Sequence, residues 1–188
     1  QLDGSLPQTL PTAIRAGHAV DPSLGITQLE GLVMATRPGD VDAGAIVHLL
    51  RAGLTVAAVD RLLEHESGLR GLAGDGDMRA LLARSDADAA LAIAVYVQRA
   101  RKYLGAFLAV LGGGDAIAFG GGVGEHAPAI RAAILAGFEW AGIALDSAAN
   151  DAGGDGLRRV DAPHSRIAVF VTSVDEALVL RDEAAALF

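Results

Sequence analysis

Two short runs, DAIAF at 115–119 and RIAVFVT at 166–172, are apolar at successive positions through their centres. A strand sends alternate side chains to opposite faces, so such a run must be covered on both. That demand fixes the class, because the chain also carries the helices needed for cover. DAGAIVHLLRAG at 42–53 has apolar residues at 45, 46, 49 and 50, the spacing of one helical face. TVAAVDRLLEHE at 55–66 predicts a second helix with Val56, Val59, Leu62 and Leu63 inward. A long helix is expected from Asp86 to Leu111, apolar nearly all round in its first half and so buried on several sides, with a partner subunit as one cover. Pro128 suits the first turn of another helix, which AIRAAILAGF continues. SGLRGLAGDGD at 67–77 reads as an ordered loop, NDAGGDGLRRV at 150–160 as a flexible turn, and 175–187 as a closing helix. Strand 115–119 is expected at the centre of the sheet. The class is α/β.

Composition narrows the chemistry. Hydrophobic residues make up 52% of the 188 and charged residues 20%, so a packed core is expected rather than disorder. Aromatics are only 4%, which leaves Ala, Val, Leu and Ile to build that core. With no cysteine there is no disulfide, thiolate metal site or cysteine nucleophile, which is compatible with a cytoplasmic protein. A net charge of −8 with one lysine, Lys102, argues against a nucleic-acid or anionic-membrane surface. The apolar stretch 89–111 is interrupted by QRARK and is no membrane span. The chain opens without Met and with two early prolines, which reads as the interior of a longer protein.

Between the first apolar run and the helix at Pro128 stands GGGVGEHA, residues 120–127. A glycine segment between strand and helix exposes backbone N–H groups where the helix dipole favours an anion, and lets a phosphate approach without a Cβ in the way. A tight packing turn fits the same residues equally well. The Walker pattern fails for want of Lys-Ser/Thr. A dinucleotide fingerprint, Gly122-x-Gly124-x-x-Ala127 with Asp146 further on, is a weak match and lies too late in the chain. No Gly-x-Ser-x-Gly hydrolase elbow occurs, and His18, His48, His65 and His164 show no metal-ligand spacing.

FGGGVGEHAPAIR resembles the glycine-rich nucleotide loop of acetate kinases, Phe-Thr-Gly-Gly-Ile-Gly-Glu-Asn-Ser. VDPSLGITQLEGLVMATRPGDVD at 20–42 resembles that family's Val-Asp-Thr-Ser-Met-Gly-Phe-Thr-Pro-Leu-Glu-Gly-Leu stretch and its Gly-Thr-Arg-x-Gly-Asp. SGLRGLAGDGDMR resembles its serine-glycine segment ending in Asp-Met-Arg, and RARKYLGAF and VDEALVL match its long helix and C-terminal acidic segment. The matches keep their order from residue 12 to 185. The resemblance implies the C-terminal domain of an actin-like ATPase (ribonuclease H-like) fold, a mixed sheet with helices on both faces and a long buried helix. It implies residues 1–188 as a single nucleotide-binding domain, with the N-terminal substrate domain absent. The implied reaction is phosphoryl transfer between ATP and acetate with Mg2+, in a cytoplasmic homodimer joined through this domain.

Roles follow position by position from that resemblance. Arg37 falls on the arginine that stabilises the transferring phosphoryl group; read without it, Arg37 is a surface residue pairing with Asp40 or Asp42. Glu176 falls on the magnesium carboxylate; otherwise it is an acid favoured at a helix N-terminus. Gly122, Val123, Gly124, Glu125 and His126 fall on the segment along the nucleotide, and Asp77, Met78 and Arg79 on a contact with its adenosine end. Ser23 and Thr27 receive no role. There are departures. His126 stands for Asn, Gly120 for Thr, Pro22 for Thr and Gln28 for Pro, while GSLPQTLP, within an irregular segment 1–11, replaces a glycine-bearing phosphate loop. Without that loop and the substrate domain, the isolated chain is expected to be inactive or nearly so. The other reading is a truncated nucleotide-binding or dimerisation module without catalysis.

Overall fold

The computed structural model describes residues 11–173. They form two compact units, one up to Gly114 and one from Asp115. The first begins with a hairpin the sequence did not announce, β1 (Thr12–Arg15) paired antiparallel with β2 (His18–Pro22). Its two-residue turn, Ala16 and Gly17, has positive φ at both positions, which matches the twist of paired strands. A long irregular segment leads to α1 (Ala43–Arg51), capped by Asp42, and α2 (Val56–His65), capped by Thr55. Both helices stand where the periodicity put them, but their faces differ. No residue of α1 is buried, and Val56 at the start of α2 is 75% exposed. Spacing defines a face; it does not supply a neighbour to cover it.

The expected loop at 67–77 is instead helical over α3 (Gly68–Ala73), and its last residue, Asp77, caps α4 (Met78–Leu82). Its glycines punctuate the helices rather than unwind them. Gly74 ends α3 in the left-handed conformation, and Gly68 starts it against other backbone. Both helices pack on α5 (Ala87–Leu111), capped by Asp86 and closed by left-handed Gly112. Burial on α5 follows one stripe, Ala89, Ala92, Tyr96, Phe107 and Leu108, whereas Leu91 and Val110 stay about half exposed. Among the described residues burial is thus confined to that stripe, and the rest of the apolar surface of α5 is the part for which a partner subunit was expected as cover. Arg15 of the hairpin donates to the Val110 and Leu111 carbonyls, closing the C-terminal end of α5.

The second unit holds β3 (Ala116–Phe119), α6 (Gly121–His126), α7 (Pro128–Leu135), a 3-10 turn at Glu139–Ala141, α8 (Ser147–Asp151), β4 (Arg158–Arg159) and β5 (Ala168–Val171). The sheet is mixed, in the order β3-β5-β4, with β3 parallel and β4 antiparallel to β5. Among the described residues β3 is therefore at an edge and β5 is central, the reverse of the expectation for 115–119. Val169 and Val171 point into the core at 0% and 1% exposure. The segment 150–160 is partly ordered, ending α8 and supplying β4. The expected closing helix at 175–187 lies outside the described residues.

One carboxylate organises the irregular segment of the first unit. Asp40 Oδ1 accepts from the Gly31 N–H and from the Tyr103 hydroxyl, each at 2.8 Å. Its Oδ2 pairs with Arg99 Nη1 at 2.5 Å, and Arg99 Nη2 donates to the Asp40 carbonyl at 3.1 Å. Partial burial pushes the Asp40 pKa up, but the hydrogen bonds from Gly31, Tyr103 and Arg99 outweigh it and hold the carboxyl below its ordinary value. Burial, together with the Asp40 carboxylate, pushes Tyr103 up to about 12. Because the folded pKa of Asp40 is depressed, its contribution is present above the ordinary carboxyl value of 3.8 and is lost as pH falls through the folded value. Asp40→Asn should lower stability by about 1–2 kcal/mol at neutral pH. It should also flatten the loss of stability as pH falls below the ordinary carboxyl value of 3.8; urea midpoints measured at neutral pH and through the acid range check both.

Candidate functional site

Arg37 sits on a tight turn closed by the Met34 N–H donating to the Arg37 carbonyl at 3.0 Å. The start of α3 is laced to this turn: Ser67 N–H to Thr36 carbonyl, Leu69 N–H to Met34 carbonyl and Arg70 N–H to Ala35 carbonyl, all within 3.0 Å. Only glycine permits this approach. A Cβ on Gly68 would lie 2.3 Å from the Met34 carbonyl oxygen, and φ is +63°. The guanidinium does not pair with Asp40 or Asp42, as a bare surface reading would have it. Asp40 is engaged with Arg99, Asp42 caps α1, and Arg37 Nε donates to Glu64 Oε2 at 2.6 Å. Arg37 Nη1 donates to the Gln28 side-chain carbonyl.

The second strip, Asp77 to Arg79, begins α4. Asp77 accepts from the Arg79 N–H at 2.9 Å, and Arg79 Nη2 pairs with its other oxygen at 3.2 Å. The Arg79 guanidinium holds the Asp77 carboxyl below its ordinary value. Met78 is 4% exposed and part of the core, which leaves its backbone, not its side chain, for a ligand. Arg79 extends into solvent at 82% side-chain exposure.

In the second unit the glycine stretch is not an open loop before Pro128. Gly120 is extended and residues 121–126 close into the short helix α6. Its glycines differ in their surroundings. A Cβ on Gly124 would lie 3.2 Å from the Phe119 carbonyl carbon, so Gly124 is a packing device against the end of β3. Around Gly122 nothing lies within 4 Å of that position. Gly122 is thus bare backbone facing open space. Val123, Gly124 and Glu125 are half-buried and the His126 side chain is 65% exposed.

Sequence reasoning passed over the residue that fixes this strip. Arg131, 1% exposed, donates through Nη1 to the Gly124 and Glu125 carbonyls, each at 2.8 Å, at the C-terminal end of α6. Its Nε and Nη2 donate to the Asn150 side-chain and backbone oxygens at 2.8 and 2.6 Å, and Asn150 Nδ2 reaches the Pro128 carbonyl at 3.1 Å. Burial holds Arg131 below the ordinary guanidinium pKa, with the nearby Arg158 charge adding to the effect. A signal existed: Arg131 stands among Ile130, Ile134 and Leu135 on the buried stripe of α7, where a charge must be paired. A groove of ≈ 250 Å³ opens beside it, lined among others by Glu125, His126, Arg131, Asn150 and Arg158.

Glu176 lies outside the described residues, as does the irregular segment 1–11 apart from Pro11, whose carbonyl accepts from the Ser23 N–H at 3.0 Å. Among the described residues no group of three His, Asp or Glu side chains could hold a metal. No helix among them is long and apolar enough to cross a membrane.

Comparison with known proteins extends these observations. The sequence pattern of the acetokinase family matches residues 9–182. The chain is 46% identical over 180 residues to the acetate kinase of Streptomyces coelicolor and 47% identical to that of Streptomyces avermitilis, covering 94% of this chain and 44% of each relative. It superimposes on the crystal structure of Porphyromonas gingivalis acetate kinase with a TM-score of 0.90 at 34% identity, over 96% of this chain and 46% of that one. A propionate kinase from Francisella tularensis gives 0.86 at 30% identity, over 94% and 46%. The chain thus spans less than half the length of these relatives, and its fold is theirs, the actin-like α/β fold that the resemblance implied. It belongs to the acetokinase family.

Proposed function

We propose that this chain supplies the nucleotide half of a kinase that transfers a phosphoryl group between ATP and a small carboxylate, acetate being the substrate named by its relatives. The observation that carries the reading is the glycine strip. Gly124 packs α6 against β3, Arg131 ties down the end of α6, and Gly122, in the first turn of that helix, leaves backbone bare. A nucleotide laid along residues 122–126 meets a surface already ordered before it binds. Asp77 and Arg79, with the Met78 backbone, contact the adenosine end. Arg37 meets the transferring phosphoryl group, where a planar, permanently charged guanidinium can grip two oxygens at once.

Magnesium commonly takes one or two carboxylates together with phosphate oxygens and water, so Glu176 is a suitable single protein ligand. Bound there, the ion would offset phosphate charge. The chain's own residues order the ligand and the turn around it. Self-association through α5, whose Leu91 and Val110 remain about half exposed, and a cytoplasmic setting belong to the same reading. In-line phosphoryl transfer depends on positioning and on a closed, water-poor cleft. This chain covers 44% of the length of its relatives named acetate kinase.

Calorimetric titration of Mg-ATP into the 188-residue chain should therefore give binding. Gly122→Val should weaken it at least about tenfold, equivalent to about 1.4 kcal/mol, without loss of fold, because the new side chain enters open space. Glu176→Gln should weaken it only when magnesium is present. Absence of binding by a folded sample contradicts the reading. In a coupled ATP/acetate assay the same 188 residues alone should turn over at less than about a hundredth of the rate of a complete acetate kinase; a comparable rate would show that the rest of the relatives' length is dispensable.

A further inference from the structure

We propose that Glu64 and Gln28 are positioning residues for Arg37, holding its guanidinium by two nitrogens so that the remaining N–H groups meet a phosphoryl group in one fixed orientation. The proposal rests on the reading of Arg37 as the arginine at the transferring group. Three separate segments build the clamp: Gln28 from the irregular segment, Arg37 from its turn and Glu64 from the last turn of α2. The backbone is set first. Thr36 Oγ1 donates to the Glu64 carbonyl at 2.7 Å and Ser67 N–H donates to the Thr36 carbonyl, which fixes the end of α2 against the Arg37 turn. The Glu64 carboxylate then takes Arg37 Nε at 2.6 Å, and the Gln28 amide oxygen takes Nη1.

A guanidinium carries five N–H groups in a rigid fork. With one N–H on Nε and one on Nη1 engaged, three N–H groups on Nη1 and Nη2 remain, enough to meet two oxygens. The side chains of Arg37 and Glu64 are only 27% and 25% exposed, so the pair is shielded from the solvent screening that weakens surface ion pairs. A long side chain held in place beforehand loses less freedom when it engages a ligand. Neither Glu64 nor Gln28 is among the residues to which the resemblance gives a role. Gln28 stands where the resembled motif has proline, which has no side-chain acceptor, so the amide half of the clamp is a departure from that motif.

The test is a double-mutant cycle in this chain completed by the remaining length of an acetate kinase relative, with kcat and KM for ATP measured separately. Glu64→Ala should lower kcat by about 10- to 100-fold while KM changes less than about threefold. Glu64→Gln should recover part of the loss, because its amide oxygen still accepts the Nε–H, and Gln28→Ala should have a smaller effect of the same kind. The Arg37→Ala/Glu64→Ala double variant should be no slower than Arg37→Ala alone. Additive losses, or a Glu64→Ala enzyme as fast as wild type or faster, would overturn the proposal; a faster enzyme would mean that Glu64 restrains Arg37 instead. If Arg37→Ala keeps the wild-type kcat, it is the reading of Arg37 that fails. The clamp is then judged by the Arg37 Nε–Hε NMR signal of the 188-residue chain. That signal should be sharp and slow to exchange in wild type and Glu64→Gln and averaged in Glu64→Ala; averaging in wild type would overturn the clamp itself.

Discussion

The segment that carries Arg37 has neither helix nor strand between Pro22 and Ala43, and its order depends on what the Asp40 carboxylate binds. Fixing one residue of backbone costs about 1–2 kcal/mol of conformational entropy, so a stretch of this length needs strong, well-placed partners. Asp40 gathers three: a backbone N–H from its own segment, and a phenol and a guanidinium from α5. Charge-assisted hydrogen bonds of this kind are about twice as strong as neutral ones. They attach the irregular segment to the longest helix of the first unit. From that anchor the chain can turn tightly at 34–37 and receive the start of α3 on its carbonyls.

The second unit solves a similar problem with the opposite sign of charge. A six-residue helix containing three glycines is a poor helix by propensity and leaves carbonyls unpaired at its end. The buried Arg131 takes two of those carbonyls and is itself held by Asn150. In each unit an ionic group orders a strip of backbone that carries residues of the proposed site. This is the usual division between a rigid scaffold and the loops it presents. Asp40 and Arg131 are accordingly more informative about the site than their lack of any assigned role suggests.

What the sequence disclosed follows from how local each signal is. β5, α5 and α7 were legible because apolar pattern and caps lie within the element itself. α3 was not: its glycines serve a close backbone approach at Gly68 and a left-handed stop at Gly74, and both look like loop signals without the neighbour in view. The β1/β2 hairpin has no clean alternation, and most of β2 is exposed. A run apolar on both faces told that β3 must be covered but not that β5 would be its central neighbour. At the site, the resemblance singled out Arg37 and the glycine strip. Glu64 and Gln28, which hold Arg37, and Asn150, which holds Arg131 beneath the strip, come from other segments of the chain, and no spacing rule points to them.

That the glycine strip bears the nucleotide is tested most directly by amide chemical shifts of the 15N-labelled chain as Mg-ADP is added. The largest changes are predicted at residues 121–126, Gly122 foremost, with a second group at Asp77, Met78 and Arg79. Saturable changes elsewhere, with these amides unmoved, would contradict the assignment and leave the glycines as packing devices alone.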